Sequence, residues 1–219
     1  MKKQELSLAH NYRASDVSTA EKSPVIIMLH GYGSDENDLF SFASELPSKY
    51  TIISLKAPYP MQPYGNAWYA IHFDNIDGKW SDDAQAIESR EKVITCIDEI
   101  VEKYHIDSNN ITLLGFSQGT ILSFAVALSY PEKIKNVIGL SGYINESIVQ
   151  KDYQANDFKS LSVYSSHGNV DQVIPVDWAR KTVPFLKKIG VKCNYSEFPI
   201  GHGVSPQNFH DLNTWLEHH

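Results

Sequence analysis

Ser117 is the residue of this chain best placed for covalent chemistry. It stands in Gly115-Phe116-Ser117-Gln118-Gly119, after the apolar run Ile111-Thr112-Leu113-Leu114 and before a helix-like run from Thr120 to Leu128. A serine hydroxyl is a weak nucleophile until a neighbouring base takes its proton. Gly-x-Ser-x-Gly between a strand and a helix folds the backbone back sharply and leaves the hydroxyl exposed at the turn. The pentapeptide alone is a weak signal, so its partners decide.

Attack on an ester carbonyl passes through a tetrahedral oxyanion, which preorganised backbone N–H donors must hold. In elbow-type sites one donor belongs to the residue after the nucleophile, here Gln118. The other comes from a glycine-rich loop after an early strand. Leu29-His30-Gly31-Tyr32-Gly33 follows the apolar stretch Val25 to Met28, which makes the Tyr32 N–H the second candidate. Taken alone, this loop reads equally well as an ordinary strand-to-helix turn. No Lys-Ser/Thr pair follows it, which argues against a phosphate cradle.

Sites of this kind run serine, acid, histidine along the chain. Asp152, Asp157, Asp171 and Asp177 lie between Ser117 and the last strand-end histidine. Asp152 and Asp157 fall in a polar insertion, and Asp177 reads as a helix cap. Asp171 lies in His167-Gly168-Asn169-Val170-Asp171-Gln172-Val173-Ile174-Pro175, a loop just after the strand-like run Leu161 to Ser165. His30, His72, His105 and His167 precede the acid and fail the order, and His210 sits in a helical pattern. His202, in Gly201-His202-Gly203 after the run Asn194 to Phe198, has the exposure a general base needs. The candidate catalytic set is therefore Ser117, Asp171 and His202.

Strand and helix patterns must alternate to bring these residues together. Leu6, Leu8 and His10 suggest an edge strand; Pro24 to Leu29 and Thr51 to Leu55 are continuous apolar runs, as expected of strands buried on both faces. Asn37 to Leu46 and Trp178 to Ile189 read as helices, as do Asp82 to Tyr104, with Asp82 or Ser81 as cap, and Asn208 to Leu216. A loop with Pro58, Pro60 and Pro63 follows the second buried strand. Val137 to Leu140 reads as one further strand. Such alternation predicts an α/β fold with a mostly parallel central sheet covered by helices on both faces. Sites in such sheets lie at the carboxyl ends of the strands, where each motif above falls. The segment from Gly142 to Ser160 is too short for a large lid.

Composition narrows the class. The 219 residues suit one domain, residues 1–219, and 42 % hydrophobic with 21 % charged content fits a soluble globular chain. A net charge of −7 argues against nucleic acid or an anionic membrane as partner. Cys96 and Cys193 lie in unlike contexts and are expected to be unpaired thiols. No zinc-type cysteine pair is present, and no metal or cofactor is expected. Met1 to Ala14 lacks the apolar core of a secretion signal, and no run of 18 apolar residues exists, so a cytoplasmic location is expected. Leu216-Glu217-His218-His219 resembles the start of a purification tag, so His218 and His219 are assigned no function.

Together, Leu29 to Gly33, Gly115 to Gly119, His167 to Pro175 and Gly201-His202 resemble the phospholipase/carboxylesterase family of serine α/β-hydrolases, which includes acyl-protein thioesterases. The likeness runs from about Pro24 to Leu216. It implies an α/β-hydrolase fold, a triad of Ser117, Asp171 and His202, and an oxyanion hole from the Tyr32 and Gln118 backbones. It also implies that Trp68, in Asn66-Ala67-Trp68-Tyr69, walls the acyl pocket, with the Tyr32 side chain narrowing it. The expected activity is hydrolysis of small-molecule esters with short-to-medium acyl groups through an acyl-enzyme. The alternatives are a thioesterase or lysophospholipase and, from another class, a non-catalytic ligand-binding relative. Oligomeric state is not legible in the sequence.

Overall fold

The computed structural model describes residues 2–17, 21–74 and 78–219. Seven strands form one sheet: β1 (His10–Arg13), β2 (Ser23–Leu29), β3 (Thr51–Leu55), β4 (Ile106–Phe116), β5 (Asn136–Leu140), β6 (Ser162–Gly168) and β7 (Lys192–Phe198). Their order across the sheet is β1-β3-β2-β4-β5-β6-β7. Only β1 runs antiparallel, against β3; every other pair is parallel. Among the described residues the α-helices are α1 (Asp83–Lys103), α2 (Gln118–Ser129), α3 (Val176–Arg180), α4 (Thr182–Lys188) and α5 (Pro206–Glu217).

The continuous apolar runs are explained by two-sided burial. Successive strand residues face opposite sides. From β2, Val25, Ile27 and Leu29 join a core with Val93, Ile97 and Ile100 of α1 and Leu122 and Val126 of α2. Ile26 and Met28 face the other side, with Leu39, Leu46, Tyr50 and the Leu212, Trp215 and Leu216 of α5. All twelve residues of α2 are buried, so this helix has no solvent face. Asp82 caps α1 by accepting from the Gln85 N–H, and Ser205 caps α5 by accepting from the Asn208 N–H, with Pro206 at the first turn.

Three expected elements differ. The edge strand is His10–Arg13, while Leu8 is buried just before it. The helix expected over residues 37–46 is reduced to one 3₁₀ turn, Leu39–Phe42. Asp35 Oδ1 accepts from the Asn37 N–H and Ser41 Oγ donates to the Asp38 carbonyl, which are local bonds that compete with a helical ladder. Arg13 then collects the carbonyls of Ala43, Leu46, Pro47 and Tyr50. The helix expected over 178–189 is broken into α3 and α4 near Lys181. Pro184 has no N–H to give the Arg180 carbonyl, and its ring crowds that carbonyl.

The proline-rich loop carries short pairing of its own. Tyr59–Pro60 pairs with Asn66–Ala67, and Ile71–Asp74 pairs with Gly78–Ser81. Residues 142–160 contain two 3₁₀ turns, Glu146–Ile148 and Tyr153–Ala155. The first is held by Arg90 of α1, whose guanidinium donates to the Ile148 carbonyl.

Candidate active site

Because the strands are parallel, the ends of β2, β4, β5, β6 and β7 open on one edge of the sheet. The loops after them carry Tyr32, Ser117, Ser141, Asp171 and His202. The turn at Ser117 has φ 53 and ψ −115, a conformation that costs a non-glycine residue about 1–3 kcal/mol. The neighbourhood enforces it. The Ser117 N–H donates to the Leu140 carbonyl of β5 at 2.9 Å. A Cβ on Gly119 would lie 1.9 Å from the Leu29 carbonyl oxygen, and one on Gly115 would lie 2.5 Å from the Thr120 nitrogen. Those contacts leave room for hydrogen alone at both positions.

Ser117, His202 and Asp171 meet. Ser117 Oγ lies 2.9 Å from His202 Nε2, and His202 Nδ1 lies 2.7 Å from Asp171 Oδ2. Since the carboxylate accepts at Nδ1, that nitrogen carries the proton and Nε2 is left to accept from the serine. Asp171 is itself over-determined. Its Oδ1 accepts from the Val173 N–H at 2.7 Å and the Ile174 N–H at 3.0 Å. Burial by itself would raise its pKa, but the bonds from His202, Ile174 and Val173 outweigh it and hold the carboxyl below its ordinary value.

His167, set aside by the order rule, is part of this arrangement. Its side chain is fully buried, and its Nε2 lies 3.2 Å from Asp171 Oδ2 and 2.9 Å from the Ile174 carbonyl. It therefore bonds to the backbone that holds the acid and packs within contact distance of the acid itself. The signal was present in the sequence as a His-x-x-x-Asp spacing, but that spacing has many structural meanings. Ser141 is also absent from the expected set; its hydroxyl donates to the Gly203 carbonyl at 3.3 Å and ties down the loop of His202.

The backbone N–H groups of Tyr32 and Gln118 are taken by no other described residue. Gln118 is the first residue of α2, where N–H groups lack intrahelical partners and the helix dipole favours negative charge. Its side chain works elsewhere: Oε1 accepts from the Trp68 N–H at 2.9 Å and Nε2 donates to the Tyr69 carbonyl at 2.8 Å.

The pocket role expected of Trp68 is not found. Trp68 is wholly buried and lies outside the cavity that opens on Ser117. Its Nε1 donates to the His30 carbonyl at 2.9 Å, so it braces the Tyr32 loop from behind. A burial-driven core position wins for so large an aromatic. His30, also fully buried, locks the same loop: Nδ1 lies 2.7 Å from the Gly31 carbonyl, and Nε2 accepts from the Ala57 N–H at 3.1 Å. Burial pushes its pKa down, which keeps the ring neutral. The tyrosine next to Trp68, Tyr69, takes the wall position instead, with Ile71, Ile121, Ile174 and Val173. The Tyr32 side chain does line the cavity and is 38 % exposed. The cavity measures about 630 Å³.

Among the described residues, no group of three or more His, Cys, Asp or Glu side chains is arranged to hold a metal. No helix among them is long and apolar enough to cross a membrane. Cys96 and Cys193 are both free.

A model of the phospholipase/carboxylesterase family matches residues 13–219. The chain belongs to that family. Membership makes it a hydrolase with an α/β-hydrolase fold. Among its relatives in the family, an acyl-protein thioesterase 1 of Cryptococcus neoformans is 29 % identical over 220 residues, covering 87 % of this chain and 90 % of that protein. A rice protein named as a probable carboxylesterase is 28 % identical over 155 residues. That match covers 70 % of this chain but 58 % of the longer rice protein. In fold, the crystal structure of a Bacillus cereus carboxylesterase superposes with a TM-score of 0.81 over 97 % of this chain and 94 % of that one, at 18 % identity.

Proposed function

We infer that this chain is a serine carboxylesterase that hydrolyses esters of short-to-medium acyl groups. The reading rests on one observation above all: the unbroken hydrogen-bond line from Ser117 Oγ through His202 to Asp171. In this reading Ser117 attacks the carbonyl carbon while His202 Nε2 takes the hydroxyl proton. The N–H groups of Tyr32 and Gln118 receive the oxyanion. His202 then protonates the departing alcohol, leaving an acyl-Ser117. A water, deprotonated by His202, attacks the acyl carbon; His202 returns that proton to Ser117 Oγ as the acyl–oxygen bond breaks and the acid leaves. Asp171 keeps the imidazole in the required tautomer and stabilises its charged form. No metal or cofactor enters any step.

The same residues would cleave a thioester, with a thiol as leaving group, and the fungal relative's name favours that second reading. A lysophospholipase reading uses the same steps on a larger substrate. Residues 1–219 are taken as one domain, in keeping with a family match spanning 13–219. Two free cysteines and net negative charge fit a cytoplasmic location.

The decisive experiment compares wild type with Ser117→Ala on p-nitrophenyl acetate and butyrate, alongside labelling by a fluorophosphonate. We expect turnover to fall on the order of 10⁴-fold or more and labelling to disappear. Turnover that survives the substitution at a near wild-type rate would sink the mechanism. A wild-type protein that neither turns over nor labels would be a non-catalytic binding relative.

A further inference from the structure

One part of the cavity wall is polar in a way ester cleavage does not use. Tyr69 is 3 % exposed and lines the cavity, yet its hydroxyl bonds to no other described residue. Asp83 lines the same cavity. Its Oδ1 is held by the Ser81 hydroxyl at 3.0 Å and by Asn145 Nδ2 at 3.4 Å, while Oδ2 bonds to no other described residue. Asp83 does not cap α1; Asp82 does, so the Asp83 carboxylate is left to the cavity. Tyr143 borders it, packed edge-on against Trp178 with ring centroids 5.1 Å apart. A second carboxylate, Asp38, lines the cavity too, and among the described residues no Lys or Arg does. Burial, then Tyr143 and Asp83, pushes the Tyr69 phenol up, so it stays neutral at ordinary pH.

The chemistry of a matching ligand follows. A substrate carboxylate or phosphate would meet two carboxylates and no Lys or Arg among the described lining residues. An alkyl group would leave the Tyr69 hydroxyl and Asp83 Oδ2 desolvated and unpaired. A primary ammonium donates three hydrogen bonds and carries the charge that Asp83 lacks a partner for. It also sits favourably against aromatic faces such as those of Tyr143 and Trp178.

We propose that Asp83 and Tyr69 form a subsite for a protonated amine carried by the ester substrate. The inference rests on the esterase reading and names its substrate class. Asp83 Oδ2 takes the charge-assisted bond, and Tyr69 Oη accepts a second. Tyr143 and Trp178 shield the ammonium from water.

The test uses two matched ester pairs at pH 7. On the acyl side, p-nitrophenyl 6-aminohexanoate is compared with p-nitrophenyl heptanoate. On the alcohol side, 5-aminopentyl acetate is compared with hexyl acetate. Wild type should favour the amine in one pair by at least tenfold in kcat/KM, and Asp83→Asn should bring that ratio within threefold of unity. Because the readout is a ratio within a pair, general damage to the enzyme cancels. No amine preference in either wild-type pair, or a preference that Asp83→Asn leaves intact, overturns the subsite. Calorimetric titration of the Ser117→Ala protein with hexylammonium chloride separates the two readings. Binding that weakens tenfold or more on adding Asp83→Asn supports the subsite even if no ester is cleaved, and absence of binding overturns it.

Discussion

Two polar clusters open onto one cavity, and they are built in opposite ways. Around Ser117 the hydrogen-bonding atoms are spoken for: the serine by His202, His202 by Asp171, and Asp171 by His202 and two backbone N–H groups. His167 Nδ1 is the exception, buried without a hydrogen-bond partner among the described residues. Around Asp83, by contrast, Oδ2 and the neighbouring Tyr69 hydroxyl bond to no other described residue. Groups that must hold a reacting geometry are fixed by the protein before substrate arrives, because misplacement is costly in rate. Groups that select a substrate are left for the substrate to satisfy, since an unpaired buried polar group penalises the wrong ligand.

That contrast can be broken experimentally. The largest effect is expected at Asp171. Replacing it by Asn keeps the shape but presents the wrong hydrogen-bonding partner to His202 Nδ1, and kcat on p-nitrophenyl butyrate should fall about 10⁴-fold. A fall smaller than tenfold would remove Asp171 from the mechanism. His167→Phe should cost about tenfold in kcat/KM, through loss of the hydrogen bond to the Ile174 carbonyl that fixes the backbone holding the acid. It should also lower the melting temperature, because the Ile174 carbonyl loses its donor. His167→Gln, which keeps a donor near that position, should recover most of both. Loss of stability at neutral pH with kcat/KM unchanged would make His167 a packing residue only.

The third expectation concerns pH. Asp171 titrates below its ordinary range in the folded protein, so its stabilising contribution is complete above the unfolded value of about 3.9. It is lost as pH falls through the depressed folded value. Melting temperature followed between pH 6 and pH 2 should therefore fall less steeply in Asp171→Asn than in wild type; parallel curves would refute the assignment. The smallest effect is expected at a third cluster, on the surface. Arg180 forks onto Glu197 at 2.7 and 2.8 Å and reaches Asp177 at 2.8 Å, but it is half exposed. Arg180→Ala should change stability by only about 0.2–1 kcal/mol and leave ester turnover within twofold, as thermal melts and initial rates would show.

Much of this was legible in the residues. The elbow at Gly115 to Gly119 is a local pattern whose steric demand is set by neighbours in sequence and by one packed strand. Ser117, Asp171 and His202 come together because each lies in the loop after a parallel strand, and parallel strands end on the same edge. Other readings failed where contact, not pattern, decided. Trp68 looks like a pocket wall until its indole is found bonded to the His30 carbonyl inside the core. Residues 37–46 have helical spacing of apolar side chains, but the Asp35 and Ser41 side chains bond nearby backbone and Arg13, from a distant strand, takes the carbonyls. The break at Pro184 was a missed local signal, since proline's lack of an N–H is written in the sequence.

By itself the sequence determined the two-sided apolar strands, the alternation of elements, the strained turn at Ser117 and the serine–acid–histidine order. These depend on periodicity and on backbone sterics, which act over a few residues. Only the tertiary structure decided that His167 backs Asp171, that Trp68 and His30 brace the Tyr32 loop, and that Asp83 and Tyr69 face the cavity with bonds to spare. Those facts depend on which side chains meet across long stretches of chain. Hydrogen bonds and burial, being short-ranged in space rather than in sequence, settle such meetings only after folding.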